Sequence, residues 1–206
     1  MKKPSLTTDL VIICGLALLL TGIGYFYLTQ GNEALSDFQQ QALEKRLAAL
    51  QYASTFNGKT FPVVESWDAV TNEVQNTAFK GSNLVILLSK AGCNPCQLRE
   101  LRNLDSLAGG LPSSVRSTAL YFDDRNSGDS VNRQQALLLR KATRFRSAMW
   151  HTRSQELGAF IKQGPFPMIF LLKDQTIVSS FSPIPDDAVF SQHFMTIIQD
   201  VLTSSI

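Results

Sequence analysis

The sequence predicts an α/β fold, a mixed sheet with helices on both faces, behind an N-terminal membrane anchor. Three observations predict it. Short apolar runs bounded by Gly, Asn, Asp and Pro alternate with longer stretches at helical period, the pattern of a sheet between helical layers. The run Leu84-Val85-Ile86-Leu87-Leu88 is unbroken, as in a strand buried on both faces. Only the first thirty residues hold an apolar run long enough to cross a bilayer.

The chain has 206 residues, enough for one ordinary domain and an attachment segment. With 19 basic against 17 acidic residues, the charge balance does not mark a nucleic-acid binder. Residues 1–9 form a short start that carries Lys2 and Lys3, and Leu10 to Leu28 is free of charge. At ~1.5 Å per residue that run matches the ~30 Å hydrocarbon core of a bilayer. A cleaved signal peptide is the alternative. Its hydrophobic part would be shorter, and this run ends in bulky Tyr25-Phe26-Tyr27-Leu28, so an uncleaved anchor at 10–28 is favoured. Cys14 then lies in the membrane as a small hydrophobe. Lys2 and Lys3 precede the span, whereas Thr29 to Glu44 has neither Lys nor Arg, so the N-terminus stays cytoplasmic and the remainder is exported. A bacterial inner membrane with a periplasmic or extracytoplasmic domain is the expected setting, an oxidising one.

Residues 29–58 read as a helical linker or stalk. Within it, 33–56 lacks Gly and Pro and has Asn32 as cap. Leu43, Leu47 and Leu50 make an apolar stripe that packs on the domain or serves as a homodimer seam. The compact domain is assigned to 59–206. Asn57-Gly58-Lys59 is a turn, Phe61 to Val64 a short strand, and Ser66 to Phe79 a helix capped by Ser66. Lys80 to Asn83 breaks the chain before the strand Leu84 to Ser89. A helix follows from Gln97 to Leu107, then a Gly109-to-Pro112 loop and the strand Val115 to Phe122, closed by Asp123-Asp124. Val131 to Phe160 reads as one long helical stretch with a break near Gly158. Met168 to Leu172 and Thr176 to Phe181, joined by Lys173-Asp174-Gln175, form a hairpin, and Pro185 to Leu202 a closing helix. The expected order is β-α-β-α-β-α-β-β-α.

The most informative local feature is Lys90-Ala91-Gly92-Cys93-Asn94-Pro95-Cys96-Gln97, set between the buried strand and the next helix. Two thiols three residues apart at a strand-to-helix junction are placed for reversible disulfide chemistry. Unpaired helix N–H groups and the helix dipole favour a thiolate at the first sulfur. The second lies one turn inside, close enough to close a ring. With two cysteines beyond the anchor, any exported bridge within one chain is Cys93–Cys96. A zinc site needs four ligands, and the exported part adds only His151 and His193, so no metal and no cofactor besides the redox-active disulfide is expected. His151 and His193 read as surface or helix residues, and Trp67 and Trp150 as packing residues at helical positions.

The strand–Cys93-Asn94-Pro95-Cys96–helix unit, the segment Gly164-Pro165-Phe166-Pro167-Met168-Ile169-Phe170 and the terminal hairpin with its helix together resemble the thioredoxin-like superfamily. The likeness covers about residues 59–205 and points to the membrane-tethered, exported branch with a C-x-P-C motif. It implies that Cys93 is the attacking thiolate and Cys96 the resolving thiol. It implies a cis Pro167 facing the dithiol, with the N–H and C=O of Phe166 pairing to an extended substrate strand. Pro95 would shape the first helical turn. The sequence departs from the family in two places. The usual Trp before the first cysteine is Gly92, and the buried acid six residues before it is Leu87. No proton acceptor for Cys96 is visible, and Lys90 is the residue placed to bias Cys93 towards the thiolate.

Between Asp124 and Gly164 the chain exceeds the loop and single helix usual in that family, which places a basic helical insertion at about 126–150. Leu138, Ala142, Phe145 and Met149 form a stripe at 4, 3, 4 spacing, with Arg140 and Arg144 on another face. That helix packs on the domain, or its arginines meet anionic lipid or an acidic partner. The resulting expectation is a membrane-anchored thiol–disulfide oxidoreductase, reductase-leaning, acting on cysteines of exported proteins and served by a membrane redox partner. A disulfide isomerase, dimeric through 33–56, and a redox-silent adaptor in an envelope assembly are the alternatives.

Overall fold

The computed structural model describes residues 37–122, 129–161 and 164–204. The predicted anchor at 10–28, Cys14, the Asn32 cap and Asp123-Asp124 lie outside the described residues. Among those described, no helix is long and apolar enough to cross a membrane. The chain divides into two compact units, Met1–Lys45 and Arg46–Ile206. Helix α1 (37–54) begins in the first and ends in the second.

In the second unit one seven-stranded sheet runs in the order β2-β1-β5-β4-β3-β6-β7. Its strands are β1 (Glu65–Asp68), β2 (Val74–Asn76), β3 (Ser82–Ser89), β4 (Val115–Phe122), β5 (Ala148–Thr152), β6 (Met168–Lys173) and β7 (Thr176–Phe181). The helices that follow α1 are α2 (Asn94–Ala108), α3 (Asp129–Thr143), α4 (Gln155–Ile161) and α5 (Ala188–Ser204). Strands β3, β4 and β5 are parallel, and β1, β2, β6 and β7 add antiparallel pairs. The period-2 alternation of strand side chains splits the core. Leu84, Ile86 and Leu88 face one cluster with Leu101, Leu104, Leu139 and Ile198, while Val85 and Leu87 face the other with Phe56, Phe61, Leu157 and Phe170. The β3 run is therefore continuous because both faces are covered.

Four expectations are corrected. Residues 61–64 form no strand. Pro62 has no N–H for a ladder, and Gln175 and Thr77 side chains take the carbonyls of Phe61 and Pro62 instead. Ser66 to Phe79 is a hairpin, not a helix. Asp68 Oδ1 accepts the N–H groups of Val70 and Thr71 at 2.8 and 2.9 Å, and Asn72 sits at φ 62°, so local bonds favour a turn over a helix.

The stretch 131–160 is helix, strand and helix. Arg144 adopts φ 56° and the Phe145 N–H returns to the Arg140 carbonyl at 3.1 Å, which ends α3 and releases β5. Phe145 and Met149 are buried, but Leu138 is 59% exposed, because the inward face of α3 is Asn132, Ala136 and Leu139. The insertion is thus helical only in part. Finally, Trp67 and Trp150 are strand residues, and His151 is buried in β5, its ring stacked on Trp67 at 5.8 Å.

The insertion's arginines work largely within the domain. Arg133 donates to the carbonyls of Ala69 and Val70, Arg140 to that of Phe145, and Arg146 pairs with Asp105 at 3.1 Å. On α1 the leucine stripe is not the packing face: Leu43, Leu47 and Leu50 are exposed. Within the second unit α1 is held by Arg46, Tyr52 and Ala53, and the turn after it by Phe56. The Tyr52 hydroxyl donates to the Ile161 carbonyl at 2.7 Å, and burial raises its pKa.

Candidate functional site

Cys93 and Cys96 are joined by a disulfide with Cα atoms 5.3 Å apart. Strand β3 delivers the chain to Ser89, and a turn closed by the Gly92 N–H on the Ser89 carbonyl, at 2.9 Å, leads to Cys93. Cys93 is the N-cap of α2, extended at φ −65° and ψ 111°, and its sulfur accepts the Cys96 N–H at 3.4 Å. A sulfur in that place takes up one of the orphan donors of the helix end, where negative charge is favoured. Asn94 and Pro95 fill the next two positions, where a missing proline N–H costs nothing. Cys93, Asn94, Pro95 and Lys90 are exposed, whereas Cys96 is only 5% exposed. One sulfur meets solvent and the other lies behind it. That asymmetry suits sequential attack by two thiols.

The second predicted segment is brought to the same place by strand register. β3 and β6 run antiparallel with Leu87 opposite Met168, so the residues before Met168 lie alongside the last turn of chain before Cys93. The Phe166–Pro167 bond is cis, Pro167 is buried and Phe166 half-buried. A Cβ built on Gly92 would stand 2.9 Å from Phe166 Cβ and 2.9 Å from Gln97 Nε2. The close approach of these segments accounts for glycine at this position. Phe166 also packs near Phe122, with ring centroids 6.4 Å apart.

Two residues of the site were missed in the sequence. Gln97 is fully buried, and its carboxamide makes both bonds to Ser89: it accepts the Ser89 N–H at 2.9 Å and donates to the Ser89 carbonyl at 2.9 Å. It replaces a neighbouring strand where β3 leaves the sheet. Glu100 is also fully buried, accepting from Arg99 Nε at 2.7 Å and from Asn103 Nδ2 at 3.0 Å. Arg99 in turn donates to the carbonyls of Pro185 and Ile184, at 2.7 and 3.0 Å. The available signal was polarity on the inward stripe of α2, where Gln97 and Glu100 interrupt Cys96, Leu101, Leu104 and Leu107. Leu87, where the resemblance would place an acid, is a core residue on the opposite sheet face from α2's cluster. Among the described residues no group of three or more His, Cys, Asp or Glu could hold a metal ion.

No protein-family model and no curated protein matches this chain. Solved structures do. An uncharacterized conserved protein from Geobacillus kaustophilus superposes with a TM-score of 0.58 at 13% identity, covering 72% of this chain and 82% of that one. An uncharacterized thioredoxin-like protein from Porphyromonas gingivalis gives 0.53 at 13% identity, over 73% and 95% of the two chains. A proposed thiol:disulfide interchange protein, DsbE, from Chlorobium tepidum gives 0.50 at 8% identity, over 69% and 96%. The chain has a thioredoxin-like fold.

Proposed function

We propose that this thioredoxin-like chain is a membrane-anchored thiol–disulfide oxidoreductase that reduces cysteines of exported proteins on the extracytoplasmic side of a bacterial inner membrane. One observation carries the reading: an exposed Cys93 caps α2 with its sulfur, and a buried Cys96 waits behind it. The reduced protein attacks a substrate disulfide through the Cys93 thiolate, and one substrate sulfur leaves as a thiolate. Cys96 then attacks the Cys93 sulfur of the mixed disulfide, releasing the second substrate sulfur and forming Cys93–Cys96. Two electrons pass to the substrate, and a membrane redox partner returns them. The Phe166-Pro167 segment offers main-chain pairing to an extended substrate, which gives broad specificity. Lys90 adds positive charge near the attacking sulfur, and Asn94 and Pro95 shape the turn between the thiols.

Insulin reduction by the full-length chain tests this. Turnover by the wild type and none by Cys93→Ser supports catalysis, while equal behaviour of the two supports a redox-silent adaptor. Alkylation with a mass tag in cells reads direction, and a mostly oxidised Cys93–Cys96 pair would overturn the reducing role. An isomerase is the second reading, favoured by the exposed Leu43, Leu47 and Leu50 at 4, 3 spacing on α1. Light scattering that finds a dimer dispersed by Leu47→Lys would support it.

A further inference from the structure

We propose that Glu100 accepts the proton of Cys96 when Cys96 attacks the mixed disulfide; this rests on the redox reading above and names the base that reading lacks. A buried thiol must lose its proton to become a nucleophile, because the thiolate is the attacking species. Cys96 is 5% exposed and lies away from bulk water. Glu100 is the one buried carboxylate among the described residues. It stands four residues after Cys96, and both belong to the buried face of α2. Positions i and i+4 are neighbours on a helix, and side chains lean towards its N-terminus. Glu100 and Cys96 therefore sit one turn apart on the same buried face of α2.

A buried carboxylate is costly unless paired and hydrogen-bonded, and here one oxygen is held by Arg99 and the other by Asn103. The pairing is unusual. Arg99 and Glu100 are adjacent on the helix, where side chains do not face each other. Arg99 reaches over because the Ile184 and Pro185 carbonyls hold its guanidinium. Asn103 also lines a groove of about 420 Å³ between α2 and α5, with Leu107, Gln192, Met195 and Gln199. The donor to the carboxylate thus borders open space. Asp187, at the start of α5, feels the charge of Arg99 and is bonded to Arg46 of α1. Tyr121 of β4 lies in the core cluster under α2, and Asp105 on the α3 side is paired with Arg146.

The step balances. The Cys96 S–H gives its proton to the Glu100 carboxylate, and the Cys96 sulfur bonds to the Cys93 sulfur. The Cys93–substrate bond breaks, and the substrate leaves as a thiolate. The carboxyl proton then passes out to that thiolate or to water.

A two-phase exchange reaction tests it. The full-length chain carrying Cys14→Ala is reduced and mixed with dithiobis-nitrobenzoate in a stopped-flow cell. The first nitrothiolate released reports Cys93 attack and the second reports Cys96 attack. Glu100→Gln is expected to slow the second phase about a hundredfold or more at neutral pH. It should also move that phase's pH dependence upward, towards that of an ordinary thiol, while the first phase is unchanged. Glu100→Asp should recover part of the rate. A second phase with wild-type rate and pH profile in Glu100→Gln overturns the proposal, as does equal slowing of both phases. Should Glu100→Gln fail to fold, Asn103→Ala decides, because it leaves the carboxylate in place but strips one bond from it. A changed pH profile confined to the second phase supports the role, and overlap with the wild type overturns it. Absence of the first phase in the parent chain would instead overturn the redox reading itself.

Discussion

Replacing Gln97 by Met tests whether the placement of Cys93 depends on a side chain acting as a strand. Met is close to Gln in volume, so packing is nearly conserved and the change isolates two hydrogen bonds. The Ser89 N–H loses its acceptor at a site that is 1% exposed, which costs about 1–3 kcal/mol. The Ser89 carbonyl loses one donor but keeps the Gly92 N–H, so about 0.5–1.5 kcal/mol is the fair figure there. Together these give about 1.5–4.5 kcal/mol out of a total stability of about 5–15 kcal/mol. For a domain of this size each kcal/mol is worth about 2–4 °C, so Tm should fall by at least about 3 °C. Circular dichroism on the oxidised protein measures that. The first phase of the nitrobenzoate reaction measures Cys93, whose cap position follows directly from the Ser89–Gly92 turn. A variant with unchanged Tm and an unchanged first phase would refute the view that Gln97 anchors this turn.

Gly92→Ala places a methyl 2.9 Å from Phe166 Cβ and from a Gln97 amide that is itself fixed by two bonds. It should cost about 1–3 kcal/mol of stability, read by denaturant midpoint, and slow insulin reduction. Tyr52→Phe removes the 2.7 Å bond to the Ile161 carbonyl and should lower stability by about 1 kcal/mol, with no change in thiol reactivity. Asp187 has its pKa lowered, first by its hydrogen bond to Arg46. A depressed carboxylate contributes stability above its unfolded pKa and loses it as pH falls through the folded value. Asp187→Asn keeps an oxygen for the Phe190 N–H at the start of α5, so it removes charge while sparing the cap. Its destabilisation should be full at neutral pH and vanish in acid, and a pH-independent difference in denaturant midpoint would contradict this.

The parts of the fold legible in the sequence are those where one local pattern had a single physical reading. β4 and β7 match their expected residues because turn formers bound short runs of β-branched and aromatic residues. The Lys173-Asp174-Gln175 turn was clear although Asp174 and Gln175 both take positive φ without glycine. The dithiol helix was clear from its motif. The segment 131–160 failed along with 61–64 and 66–79: helix-forming composition runs on through Arg144, and the left-handed turn there ends α3. Tertiary pairing with β4 then claims Ala148 to Thr152 as strand, overriding local propensity. Gln97 and Glu100 were hidden for another reason. A polar residue on an apolar stripe has no visible purpose until its partners, Ser89 and Arg99, are seen to reach it.

The geometry of the dithiol is set mainly by the sheet. A strand displaced by one residue sends every side chain to the other face, and in β3 that would exchange Leu84, Ile86 and Leu88 with Val85 and Leu87 between two separate cores. Both cores therefore hold the β3–β6 register that places Leu87 beside Met168, and with it Phe166 beside Gly92. The β1–β2 hairpin and the α3–β5 extension attach at the far edge of the sheet, with β4 between β5 and β3. They can vary without disturbing that register. The helix layer is different, because Arg99 ties α2 to the carbonyls just before α5. Changes in that loop reach Glu100, one turn from Cys96, while leaving the sulfur positions intact. It follows that substitutions at the Ile184-Pro185 loop should alter the second thiol step and spare the first, the opposite of what substitutions at Gly92 or Phe166 should do.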